Sequence, residues 1–211
     1  MIAHFIFFFL TQSSAQEIFS QIERLAANHE QVIVATQKKS GFVSLYQKIN
    51  GKFRKTWGPV PAVFGKNGIA KENAKVEGDG KTPSGIFEIE GAFGYHANAT
   101  TKLNYRTAGS NDKWIDDVES SDYNNWVHGD TTAKSFEKLK RDDNLYEHAF
   151  ITSYNRTPVI KGKGSAIFVH VWRGPNSTTA GCVAIAKENM LYLLDQLDRS
   201  RKPAILISKD L

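Results

Sequence analysis

Cysteine is almost missing from this sequence, since Cys182 is the only one in 211 residues. A single cysteine closes no disulfide within the chain and builds no cysteine-based structural zinc site. The six histidines include no pair at the spacing of a zinc motif, so the sequence predicts no metal ligands. Long apolar runs are also missing, and none approaches the roughly 20 residues that cross a bilayer as a helix. We therefore expect no stable membrane insertion.

Charge is neither extreme nor concentrated. The chain has 27 Lys and Arg against 22 Asp and Glu, a net charge of +5, and 41% of its residues are apolar. This composition is typical of a folded globular protein. The basic residues are scattered in short groups without the aromatic-spaced motif of an RNA-binding module, so we expect no nucleic-acid partner. A basic surface instead favours anionic surroundings such as an acidic wall polymer.

The N-terminus suggests export. The apolar segment Ile2–Leu10 is followed by small polar residues, in which Ser13 and Ala15 fit positions −3 and −1 of a signal-peptidase site. No Lys or Arg precedes the apolar segment, however, and Ser14 with Glu17 could instead form a capping box that opens a helix. We favour the signal peptide, with a destination in the periplasm or cell wall. The lone cysteine would then be a free thiol in an oxidising compartment, which is worth an explanation.

Strand signals dominate the rest of the chain. The dipeptides Ser40–Gly41 and Asn50–Gly51 separate segments rich in β-branched and aromatic residues, and Gly85–Glu90 alternates apolar with acidic side chains. Further strand-like segments are "HAFITSY", "SAIFVHVW" and the final "PAILIS". A helical pattern covers Lys187–Leu197. We therefore predict a mostly β fold with a few helices.

One long polar segment, residues 96–145, is rich in Asn, Asp and Ser. Such a stretch is uncommon in a compact domain unless it forms the wall or lid of a site. We predict that role here, with one short helix near "TTAKSFEKLKR".

The segment "GDGKTPSG" (Gly78–Gly85) superficially matches a phosphate-binding P-loop. That motif needs a glycine where this chain has Lys75, and a helix directly after its Lys-Thr pair. Pro83 and Gly85 lead instead into an alternating, strand-like segment. The sequence therefore does not predict nucleotide binding.

One polar residue, His170, interrupts the apolar strand "SAIFVHVW". Its side chain lies on the same face as Phe168 and Trp172, and a hydrogen-bonded core histidine is the simplest interpretation. After a loop, however, the chain reaches Cys182, and a strand that turns back can bring imidazole and thiol together. The histidine would take the thiol proton, and the resulting imidazolium would keep Cys182 rich in thiolate near neutral pH.

Gly181 directly precedes this cysteine. A glycine there gives the backbone the freedom to point its own N–H and that of Cys182 at a developing oxyanion. The alternative is that Cys182 is only a small buried hydrophobe, as free cysteines often are.

At this point the residues carry a resemblance. "HVWRGPNSTTAGCVAI" resembles the catalytic signature of the L,D-transpeptidase (YkuD-type) family, a histidine followed by a Ser/Thr-x-Gly-Cys turn. "GDGKTPSGIFEI" with "GAFGY" is similar to the upstream Thr-Pro-x-Gly strand of that family, whereas "WIDDVESSDYN", "RDDNLYEHAFITSYN" and "GSAIFVHV" resemble its single-domain exported branch. The resemblance covers roughly Val60–Ser208. Apolar residues at helical spacing predict an N-terminal helix over 16–30, which follows the expected signal peptide over 1–15, and we expect the catalytic domain over 31–211.

The resemblance implies a β-sandwich catalytic domain that acts on peptidoglycan stem peptides through a cysteine acyl-enzyme. Carried over residue by residue, the nucleophile is Cys182, the general base and acid is His170, Gly181 and Cys182 form the oxyanion turn, and Thr179 takes the Ser/Thr position. Two positions depart from the family pattern. Ala180 stands where many members have a histidine, and Ala184 stands where many have an arginine.

Because the family arginine is replaced, another cation must meet the carboxylates of the substrate. We expect Arg173 to do so, with its neighbour Trp172 as a further substrate-binding residue. The expected reaction releases D-Ala from the stem and passes the acyl group to another amine, which gives 3-3 cross-links when that amine belongs to a second stem. No cofactor is needed, and we expect a monomer.

Three alternatives remain open from the sequence. A hydrolytic L,D-carboxypeptidase or amidase of the same fold would pass the acyl group to water. A non-catalytic wall-binding domain would hold stem peptides without reacting. A papain-like peptidase is a weaker alternative, because neither a cysteine-proximal helix nor a later histidine of that kind is present.

Overall fold

A computed structural model describes residues 19–20, 22–24, 26–209 and 211. The described residues contain twelve strands and a C-terminal helix, Lys187–Gln196. The strands are β1 (Gln31–Gln37), β2 (Gly41–Ile49), β3 (Lys52–Val63), β4 (Gly85–Gly94), β5 (Tyr105–Thr107), β6 (Asp112–Ile115), β7 (Trp126–His128), β8 (Phe136–Lys138), β9 (His148–Thr152), β10 (Phe168–Val171), β11 (Val183–Ile185) and β12 (Pro203–Ser208).

Nine strands form one sheet in the order β12-β1-β2-β3-β11-β10-β9-β4-β5. Because β12 also pairs with β4, the sheet closes on itself and is barrel-like. The mostly β prediction is confirmed. Within the described residues, no helix has the length and apolar character needed to span a membrane.

Alternation along β10 sends its side chains to two different cores. Val169 packs inside the main sheet with Met190, Leu193 and other residues of the C-terminal helix. Phe168, one position earlier, packs on the opposite face in a second cluster that includes Cys182. Because successive side chains of a strand point to opposite faces, His170 falls on the face of Phe168, as the sequence predicts.

Local turn chemistry explains the hairpin that joins β2 to β3. Asn50 and Gly51 both have positive φ values, 51° and 76°, and they join β2 to β3. Two successive residues with positive φ are what a tight two-residue hairpin requires, and Asn-Gly adopts that geometry at low cost.

Upstream of these strands, the described residues 19–20 and 22–24 are helical, whereas 26–30 are not. The predicted signal peptide over 1–15 lies outside the described residues.

The short helix predicted near "TTAKSFEKLKR" is wrong. Residues Phe136–Lys138 form strand β8, which pairs with β6 in a separate three-stranded sheet of order β7-β6-β8. Leu139, which follows, is fully buried in the second cluster. Pairing with a distant strand therefore overrides the local helical pattern, which is a weak preference.

Asn124 joins this small sheet to the segment in front of β10. It is only 1% exposed, and its φ of 59° is a left-handed conformation that asparagine tolerates. Its Oδ1 accepts hydrogen bonds from Trp114 Nε1 (2.8 Å) and from the amide of Ala166 (3.1 Å). Its Nδ2 donates to the carbonyls of Tyr154 (3.2 Å) and Asn155 (2.7 Å). One buried side chain thus satisfies polar groups of three segments.

We expect Asn124→Ala to lower the free energy of unfolding by about 3 kcal/mol or more, because it leaves several buried donors and acceptors unpaired. Urea denaturation of the purified variant measures the change. Asn73→Ala is the matched control, since Asn73 has the same φ of 59° but is exposed. The control should lose about 1 kcal/mol, the cost of the left-handed backbone alone. Equal losses in the two variants would contradict a role for the hydrogen bonds.

Candidate active site

A cleft of about 300 Å³ opens where the end of β10, the loop that returns to β11 and the polar segment before β9 meet. Five of the six residues that the sequence predicts for the site line this cleft, and the sixth, Gly181, lies directly beside Cys182. The lining residues are Lys66, Glu137, Arg141, Leu145, Tyr146, His170, Trp172, Arg173, Ser177, Thr178, Thr179, Ala180, Cys182 and Ala184.

Cys182 is 6% exposed, and its thiol is hydrogen-bonded to backbone. Its Sγ donates to the carbonyl of Ala166 (3.2 Å) and accepts from the amide of Phe168 (3.4 Å). Burial raises the pKa of the Cys182 thiol to about 12, and the carboxylate of Glu137 adds to the shift, against the opposing effect of the Phe168 amide. The resting side chain is therefore a neutral thiol.

His170 lies in the same cleft and is held from one side. Its Nδ1 is 2.8 Å from the carbonyl of Val171, which can only accept, so Nδ1 carries the proton in the neutral ring. Nε2 is then the unprotonated, basic nitrogen. The edge of the Tyr146 ring packs against the imidazole, with 5.1 Å between ring centroids. Burial lowers the pKa of His170 to about 4, so the ring is neutral at pH 7.

These two pKa shifts correct one expectation. The sequence suggested a preformed ion pair with a thiolate-rich Cys182, yet the pKa of the thiol is raised and that of the imidazole is lowered. Both shifts have burial as their first cause, because a low-polarity surrounding disfavours either charge. In the resting structure the pair is a thiol and a neutral base.

The turn before Cys182 is closed by Thr179. The Thr179 hydroxyl donates to the carbonyl of Cys182 (2.7 Å) and accepts from the amide of Gly181 (3.1 Å). The Gly181 amide is therefore engaged inside the turn and does not point freely into the cleft, which differs from the expected oxyanion turn. A side chain at Gly181 would place its Cβ 3.0 Å from the carbonyl oxygen of Lys81. A side chain here would be crowded against the neighbouring segment, which favours glycine at this position.

That neighbouring segment is the "GDGKTPSG" stretch, which resembled a P-loop. Thr82 from this stretch is fully buried, accepts a hydrogen bond from the amide of Gly65 (2.8 Å) and donates to the carbonyl of Cys182 (3.2 Å). Asp79 of the same stretch forms an ion pair with Lys75, with 2.7 Å between Oδ1 and Nζ. The stretch therefore supports the cysteine turn through the hydrogen bond from Thr82 to the Cys182 carbonyl.

Three charged residues form one rim of the cleft. Asp143 accepts two hydrogen bonds from Arg141, both 2.8 Å, and one of 2.7 Å from Arg173. The Arg141 guanidinium, ahead of the opposing burial, holds the pKa of Asp143 well below its usual range. Arg173 is 59% exposed at its side chain, whereas Arg141 is 30% exposed and also packs over the Tyr146 ring.

Sequence reasoning missed Arg141, Asp143, Tyr146 and Glu137. The hydroxyl of Tyr146 donates to the carboxylate of Glu137, and burial raises the pKa of that carboxyl. Three of the four lie in "RDDNLYEHAFITSYN", which carried part of the family resemblance but suggested no role for any single residue. Glu137 lies on strand β8, where a helix was expected.

Comparison with known proteins gives one match. The family model described as YkuD, the L,D-transpeptidase catalytic domain, matches residues 31–205, which is most of the chain. No curated protein and no solved structure matches the chain.

We expect alkylation of Cys182 by iodoacetamide to be slow at neutral pH and to rise about tenfold per pH unit until well above 9, because only the thiolate reacts and its pKa is raised. Mass spectrometry assigns the product without ambiguity, since the chain has one cysteine. The profile of His170→Ala should have the same inflection. An inflection near pH 6 in the native chain that disappears in His170→Ala would restore the ion pair.

Proposed function

Because the chain belongs to the YkuD family of L,D-transpeptidase catalytic domains, we propose that it transfers acyl groups of peptidoglycan stem peptides through a thioester on Cys182. The YkuD family acts on such stem peptides. The observation that carries the proposal is the cleft itself, which holds the single thiol of the chain together with a histidine whose Nε2 is free to take a proton. A purely structural cysteine needs neither a cleft nor a basic histidine nitrogen in it.

In the first step the Cys182 sulfur attacks the carbonyl carbon of the third stem residue. The S–H proton passes to His170 Nε2, and the Val171 carbonyl stabilises the imidazolium through Nδ1–H. The carbon–nitrogen bond to the terminal D-Ala then breaks, and His170 returns the proton to the departing amine. The products are free D-Ala and a thioester. The pair starts neutral, so the charges arise only during the reaction.

The oxyanion that develops in this step needs donors. We assign the amide of Cys182 to it, since the amide of Gly181 is bonded to the Thr179 hydroxyl in the resting state. Thr179 is then a positioning residue, because its hydroxyl holds the Cys182 carbonyl and so fixes the direction of the adjoining peptide.

In the second step an acceptor attacks the thioester carbonyl and the sulfur leaves. With an amine of a second stem, His170 takes one proton from the amine, an amide bond forms and the thiol is regenerated. With water the same step gives a tripeptide with a free carboxylate. We propose transfer to an amine as the main outcome, and hydrolysis is the alternative that the assay must distinguish.

The charged rim supports a role in substrate binding. Stem peptides carry carboxylates, and a guanidinium binds a carboxylate with two parallel hydrogen bonds. Arg173 uses one nitrogen on Asp143 and is more than half exposed, so its remaining N–H groups can reach a ligand. Arg141 donates two hydrogen bonds to the same carboxylate and so helps to order the rim of the cleft. We also propose that Trp172, which lines the cleft between His170 and Arg173, contacts the peptide.

Access to this substrate requires export. We propose that the apolar segment Ile2–Leu10 directs the chain to the periplasm or cell wall, as its composition and the small residues after it suggest.

We expect the purified protein to remove D-Ala from a disaccharide-tetrapeptide and to form a cross-linked dimer, both detected by mass spectrometry. Cys182→Ala and His170→Ala should each abolish the reaction while their circular dichroism spectra stay native. The double variant should be scarcely worse than either single variant, because residues that act as one unit are not additive.

The controls separate the alternatives. Tripeptide without dimer would mean hydrolysis. Substrate bound but unchanged, by a protein whose Cys182 resists alkylation at every pH, would mean a wall-binding domain. If His170→Ala keeps its rate per folded molecule but loses thermal stability, His170 is only a core residue and the mechanism fails.

We expect Arg173→Ala to lower kcat/KM by about 10-fold, the lower end of what a hydrogen bond to a charged group contributes, because the side chain is more than half exposed. Arg173→Lys should recover part of the loss. Steady-state kinetics with the tetrapeptide substrate measure both.

The matched control is Arg54→Ala, an exposed arginine on β3 outside the cleft lining, which should leave kcat/KM unchanged. A substrate with the relevant carboxylate amidated should react slowly with the native chain and lose little more with Arg173→Ala. Equal losses for acid and amide substrates would show that Arg173 does not bind the carboxylate.

A further inference from the structure

Three metal-ligating side chains meet outside the cleft. Pairing of β4 with β9 places Gly94 opposite His148, and this brings His96, just after β4, next to Glu147 and His148. His96 Nε2 lies 2.9 Å from Glu147 Oε1, and His148 Nε2 lies 3.9 Å from the same oxygen. All three ligand atoms are within 4.8 Å of one another.

Among the described residues, neither ring nitrogen of His148 makes a hydrogen bond. It is 7% exposed, its Nδ1 is buried without a partner, and the 3.9 Å between Nε2 and Glu147 is too long for a hydrogen bond. A buried polar group without a partner is rare in folded proteins and calls for an explanation. Nε2 also has no hydrogen bond among the described residues, and this nitrogen, not Nδ1, is the one near the Glu147 carboxylate. A metal ion there would give Nε2 a partner and leave the ring proton on Nδ1.

The chemistry of these donors fits one class of ligand. Two imidazoles and a carboxylate are the three protein ligands of many zinc sites, with solvent in the fourth position. Tetrahedral ligands at about 2.0–2.1 Å from the metal lie about 3.3 Å apart. The two distances to Glu147 Oε1, 2.9 and 3.9 Å, bracket that value and need changes of well under 1 Å, whereas the two imidazole nitrogens, within 4.8 Å of each other, must approach by at most about 1.5 Å.

A cation already sits on the carboxylate. Lys187 Nζ is 2.9 Å and 2.7 Å from the two oxygens of Glu147. The lysine side chain is 49% exposed at the start of the C-terminal helix, so it can leave for solvent when another cation arrives. It would compete with a metal ion, and its removal should strengthen metal binding.

We propose that His96, Glu147 and His148 bind a divalent transition-metal ion of the zinc class. The spacing of the histidines along the sequence predicted no such site, because the two rings come together only through the β4–β9 pairing. The site directly follows Leu145 and Tyr146, which line the cleft, so a bound ion joins the cleft wall to the end of β4.

Isothermal titration of Zn²⁺ into the Cys182→Ala variant tests this, because that background removes the thiol as a competing ligand. We expect one ion per chain and a higher melting temperature with Zn²⁺. His96→Ala, at an exposed position, should weaken binding more than about 100-fold, which exceeds the loss for groups that only support a ligand. Lys187→Met should tighten binding about 10-fold.

His29→Ala is the matched control, since His29 is only partly buried and lies on the N-terminal side of β1, outside the cluster. His148→Ala serves as a second ligand variant once circular dichroism shows that it is folded. Loss of binding in His96→Ala with retention in His29→Ala supports the site. No Zn²⁺ binding in the Cys182→Ala background, or equal binding in His96→Ala and His29→Ala, would overturn it.

Discussion

The carbonyl of Cys182 is the point on which the site depends. It accepts hydrogen bonds from two threonine hydroxyls, Thr179 in its own turn at 2.7 Å and Thr82 from a distant segment at 3.2 Å. Two hydrogen bonds restrict rotation of this carbonyl, so they help to fix the orientation of the backbone at Cys182. The sheet serves this constraint, because β11 continues directly from Cys182 and pairs with both β10 and β3. Thr82 belongs to the stretch that superficially matches a P-loop, and its hydroxyl holds this backbone carbonyl.

The burial that fixes the thiol also keeps it uncharged. The carbonyl of Ala166 accepts a hydrogen bond from the thiol. The left-handed φ of 52° at Ala166 is unusual for alanine, and the hydrogen bond from its amide to Asn124 stabilises it. Stability and reactivity are opposed here, since the surroundings that order Cys182 disfavour its thiolate. A neutral resting pair protects the thiol from alkylation and oxidation, which depend on thiolate character. In the mechanism that we propose, charges form only when the thiol proton passes to His170.

The sequence predicted those parts of the structure that depend on local pattern. The alternation along β10, the Asn50–Gly51 hairpin, the C-terminal helix and the meeting of His170 with Cys182 in one cleft follow from period and turn chemistry. What depends on distant pairing was missed. Strand β8 exists because it pairs with β6, and Glu137 enters the site only with it. No local pattern marks such residues.

Ala184 stands at the position where the family resemblance leads us to expect an arginine. It pairs with His170 across β10 and β11 and is fully buried, yet it lines the cleft, so an arginine there would project from the sheet. Two cations line the same cleft, Arg141 and Arg173, and both donate hydrogen bonds to one carboxylate, Asp143. Two guanidinium groups on one carboxylate leave a net positive charge for an anionic ligand. Asp143 also orders both guanidinium groups. In the function that we propose, a substrate carboxylate would therefore meet ordered groups, and less conformational entropy would be lost on binding.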